Sequence, residues 1–69
     1  MNTDKLVYMA NQIGTFFASQ GEAQAVAGVA DHIAKFWDPR MRSAIRAHAD
    51  TGGEGLLPTV KQAIDSLTH

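Results

Sequence analysis

Asp31-His32-Ile33-Ala34-Lys35-Phe36-Trp37-Asp38-Pro39-Arg40-Met41-Arg42 holds the end of one helix and the start of the next. Pro39 disfavours helical geometry at Asp38, fixes its own φ for a first helical turn, and leaves the Asp38 carboxylate to cap free N–H groups. A helix is therefore expected to end near Trp37 and a new one to open at Pro39. Phe36 and Trp37 are adjacent, so one helix cannot aim both rings at the same pocket centre: either both close the core at the end of the second helix, or one faces outward as an aromatic anchor for a partner protein.

Upstream of this corner, a helix over about residues 22–37 places Val26, Val29, Ile33 and Trp37 on one face and Ala23, Ala27, Ala30 and Ala34 on a neighbouring strip, so that two faces can be covered. Asp31 and Lys35 form an i,i+4 pair on its polar side, with Gln24 and His32. Gly21 is suited to the left-handed backbone that ends a helix, and Ser19 with Glu22 has capping-box spacing. Before it, a first helix over about residues 4–19, with Thr3 as N-cap, carries Leu6, Met9, Ala10, Ile13, Phe16 and Phe17 at helical spacing. Gly14 and Gly28 each cost about 1 kcal/mol relative to Ala within a helix. Either they are tolerated weak points or another helix approaches closely there, and Ala10, Gly14 and Ala18 lie along one side of the first helix.

Downstream, the third helix is expected to reach about Ala49 with Met41, Ala44, Ile45 and His48 inward, and to stop at Thr51-Gly52-Gly53. A fourth, from Pro58 or Thr59 to about Leu67, carries Leu57, Val60, Ile64 and Leu67 at 3-4-3 spacing. No strand-like alternation and no internal repeat is present. The expected fold is all-α, a small bundle of about four short helices forming a single helical domain over residues 1–69.

Sixty-nine residues give a thin core, worth roughly 3–5 kcal/mol. The absence of cysteine excludes a disulfide framework and thiolate zinc sites, and fits a reducing compartment such as the cytoplasm. A net charge of -1 and a pI near 6.2 lack the basic footprint of a general nucleic-acid binder. Every apolar run is broken well short of the ~20 residues of a membrane span, and no signal peptide is visible.

The chemistry-bearing residues form no catalytic set. His32 falls on the polar side of the second helix, His48 on the inward face of the third, and His69 at the terminus, without metal-ligand spacing. A histidine packed on Phe36, or hydrogen-bonded near a helix end, is the expectation. Ser19, Ser43 and Ser66 lack the strand-to-helix elbow that activates a serine nucleophile. Gly52-Gly53-Glu54-Gly55 has the glycines of a phosphate loop, but no strand before it and no Lys-Ser/Thr after it. Asp38, Arg42, Arg46 and Asp50 follow at i,i+4 as a ladder of solvated ion pairs. Arg40 projects elsewhere and is the better candidate for gripping a carboxylate or phosphate.

The run Met9-Ala10-Asn11-Gln12-Ile13-Gly14-Thr15-Phe16-Phe17, together with Val26-Ala27-Gly28-Val29-Ala30 and the quoted corner through Arg42, resembles the delta subunit of NAD-dependent, molybdenum-containing formate dehydrogenases. The likeness spans most of residues 5 to 50; residues 52–69 resemble that family only as a glycine-bearing loop followed by a short amphipathic helix. The resemblance implies a small cytoplasmic accessory subunit without a redox centre of its own. In that family the large subunits carry the molybdopterin guanine dinucleotide, iron–sulfur clusters and flavin. The absence of cluster-binding cysteines here agrees with that division of labour.

The expected function is thus a non-catalytic subunit that binds the catalytic large subunit of formate dehydrogenase and supports assembly or stability of the active complex. Phe36, Trp37, Arg40 and Arg42 are the expected contact residues, with Asp38 and Pro39 fixing the corner. No catalytic residue, cofactor or metal is assigned to the chain, and neither nucleic acid nor membrane is expected as a partner; self-association is left open. Two other classes compete: a helical nucleic-acid module using Arg40, Arg42 and Arg46 on the third helix, and a chaperone gripping the guanine nucleotide of the molybdenum cofactor.

Overall fold

A computed structural model describes residues 2–67; Met1, Thr68 and His69, including the histidine considered above, lie outside the described residues. Four α-helices follow in order: α1 (Thr3–Phe17), α2 (Glu22–Phe36), α3 (Pro39–Asp50) and α4 (Pro58–Asp65). A 3-10 turn, Ala18–Gln20, joins α1 to α2. The all-α reading holds, with no strand among the described residues.

The helix ends show which local signals survive folding. Asn2, rather than Thr3, caps α1, its side chain accepting from Asp4 N at 2.8 Å. The α1 helix tightens into the 3-10 turn two residues earlier than the periodicity suggests. The Ser19–Glu22 capping box does not form: Gly21, at φ 92° and ψ 154°, is itself the N-cap of α2. At the next corner Asp38 accepts from Met41 N at 2.9 Å and Pro39 opens α3, as the sequence requires. The C-terminus of α3 closes with Gly53 N on His48 O and Gly52 N on Ala49 O, the paired bonds of a Schellman cap. Pro58 opens α4, and Thr59 caps nothing; the cap position is Leu57.

Leu6, Ala10, Val29, Ile33, Trp37, Ile45, Ala49, Val60, Ala63 and Ile64 form the core. The buried face of α1 runs through Leu6, Ala10 and Gly14. Gly14 sits there because α4 crosses so closely that a Cβ would stand 2.4 Å from Val60 Cγ2. That crossing rotates the expected α1 stripe: Ile13 and Phe17 stay half-buried, whereas Phe16 is 72% and Met9 40% exposed. Gly28 admits the ring of Phe17, which would lie 2.7–2.8 Å from a Cβ at that position. Both helix-interior glycines therefore mark close approach. Of the alanine strip on α2 only Ala30 packs against the core; Ala23, Ala27 and Ala34 are exposed.

One polar clamp has no counterpart in the sequence reading. Asn11 on α1 donates from Nδ2 to Gly55 O at 2.9 Å and accepts from Leu57 N at 3.0 Å. It thus holds both sides of the turn that leads into α4 and supplies the acceptor that no capping side chain provides. His48 binds the same loop, its Nε2 donating to Glu54 O at 2.7 Å.

Candidate functional site

The corner between α2 and α3 splits its two aromatic residues. Trp37 is 4% exposed and belongs to the core, whereas Phe36 is 72% exposed and reaches the surface. The reason is backbone geometry: Trp37 leaves the helix into extended φ/ψ (−88°, 137°), which swings its ring under α2 while Phe36 keeps its helical direction. The rim of Phe36 is braced by His32 one turn earlier, with ring centroids 4.9 Å apart at 41°.

The arginines also separate. Arg42 is half-buried and donates from its guanidinium to the carbonyl of Trp37, satisfying an oxygen at the end of α2. Asp38, its expected ladder partner, is instead occupied as the cap of α3, so the first rung of the ladder is replaced by two backbone contacts. Arg46 is half-buried and engaged as well. Arg40 is exposed beside Pro39 and makes no ion pair among the described residues. Of the four expected contact residues, Phe36 and Arg40 present side chains to solvent, and Trp37 and Arg42 set the shape beneath them.

From Phe36 the apolar surface continues onto α1. Gln12, Ile13, Phe16, Phe17 and His32 line a shallow concavity of about 290 Å³ between α1 and α2. Phe16 meets Phe17 edge-on, with centroids 5.1 Å apart at 84°, so Phe17 fills the groove floor and Phe16 forms its wall. Sequence periodicity assigned Met9 and Phe16 to the core and so missed this surface. The signal that identifies it is Gly14: a glycine chosen for close crossing fixes the buried line through Leu6 and Ala10, which turns Phe16 outward.

A second open cleft, of about 380 Å³, lies among Gly14, Ala18, Glu22, Ala25, Leu57 and Pro58. Glu22 is its single ionisable side chain, so it holds no acid–base or nucleophile pair. Among the described residues no group of His, Asp and Glu side chains is arranged to hold a metal ion, and no helix is long and apolar enough to cross a membrane. The site with the most to recognise is the apolar surface around Phe36 and Phe16.

No curated protein and no solved structure gives a significant match to the chain. The family model described as NADH-dependant formate dehydrogenase delta subunit FdsD matches residues 5–64. That span enters all four helices and includes the Phe36–Arg40 corner, the glycine loop and nearly the whole of α4. The chain accordingly belongs to the formate dehydrogenase delta subunit family, FdsD.

Proposed function

We propose that this chain is a non-catalytic accessory subunit that binds the catalytic large subunit of formate dehydrogenase in the cytoplasm and supports assembly or stability of the active complex. The observation that carries this reading is the α2–α3 corner: it exposes Phe36 (72%) and Arg40, while Trp37 is buried in the core and Arg42 donates to the Trp37 carbonyl. Exposed aromatic and arginine side chains are the residue types that dominate binding energy at protein interfaces. Electron transfer belongs to the partner subunits, because a chain without cysteine has no thiolates to ligate a cluster. The nucleic-acid reading loses ground at the same residues, since the Arg42 guanidinium is already committed to a backbone carbonyl.

Co-expression of the formate dehydrogenase subunits with and without this chain tests the role directly. Omission should lower molybdenum content and formate oxidation of the purified complex. In the complete set, Phe36→Ala should weaken co-purification by about 2 kcal/mol of binding, as at other aromatic anchors. Normal maturation without the chain would refute the assembly role.

A further inference from the structure

We draw no further inference here: the strongest candidate, the exposed apolar surface patch around Phe16 on α1 and Phe36 on α2, carries nothing beyond the reading above, because nothing in the structure shows what covers it.

Discussion

A methyl group at Gly14 would stand 2.4 Å from Val60 Cγ2, a side chain that is itself fully buried. Gly14→Ala gains about 1 kcal/mol of helix propensity. Overpacking costs about 1–3 kcal/mol, and here it should win because α4 must shift as a unit. Thermal unfolding of the variant should therefore start earlier, by roughly 4–8 °C per kcal/mol of net loss in a domain of this size; an unchanged or raised melting temperature would mean α4 yields more easily than its packing implies. Asn11 offers a second check, because its two ends do different work. Asn11→Ala removes both loop bonds, each worth about 1 kcal/mol net. Asn11→Asp keeps the acceptor for Leu57 N but loses the donor to Gly55 O. Hydrogen exchange at the Leu57 amide should accelerate strongly in the first and much less in the second. Nothing in the sequence announces Asn11, since its partners lie 44 and 46 residues away and are backbone atoms.

Among the elements, α3 has the start most fully written in its own residues. Asp38 and Pro39 act within one turn of each other, so local chemistry alone fixes the boundary, and Asp38→Ala should cost about 1 kcal/mol while Asp38→Asn costs much less. Comparing the melting temperatures of the two variants separates the cap from the charge. The end of α1 was not legible in the same way. Ser19 and Glu22 have capping-box spacing, yet the chain instead tightens after Phe17, whose ring is drawn against Gly28 on the next helix, and Gly21 becomes the cap. Tertiary packing, here the close crossing of α4 at Gly14, also explains the error in the α1 face. A stripe of six apolar residues is wider than one neighbour can cover, and only the positions of α2 and α4 decide that Leu6, Ala10 and Gly14 go in while Met9 and Phe16 stay out. For the candidate site the sequence supplied the corner but left both rings free to close the core together; that Phe36 faces outward while Trp37 turns inward depends on the extended backbone of Trp37, a product of the whole corner.

At the scale of the whole molecule, the core is built of modest side chains: Ile33, Ile45, Ile64, Val29 and Val60 are the largest that are fully buried. No disulfide reinforces it, and the ion pairs Asp31–Lys35 and Lys61–Asp65 lie on the surface, where such pairs contribute roughly 0–1 kcal/mol. A core of this kind supplies roughly 3–5 kcal/mol. Binding of a partner to the folded state alone adds RT ln(1 + [L]/Kd), about 2.7 kcal/mol when the partner is present at 100 times Kd, and so changes a substantial fraction of the total. Trp37 makes this measurable, because its ring is buried in the folded chain and becomes solvated on unfolding. The melting transition read from Trp37 should therefore move upward as purified large subunit is added in excess. Phe36→Ala with Arg40→Glu should leave the melting temperature of the free chain nearly unchanged, since both side chains are exposed, and should abolish the upward shift. A shift that persists in the double variant would place the stabilising contact on another face of the bundle.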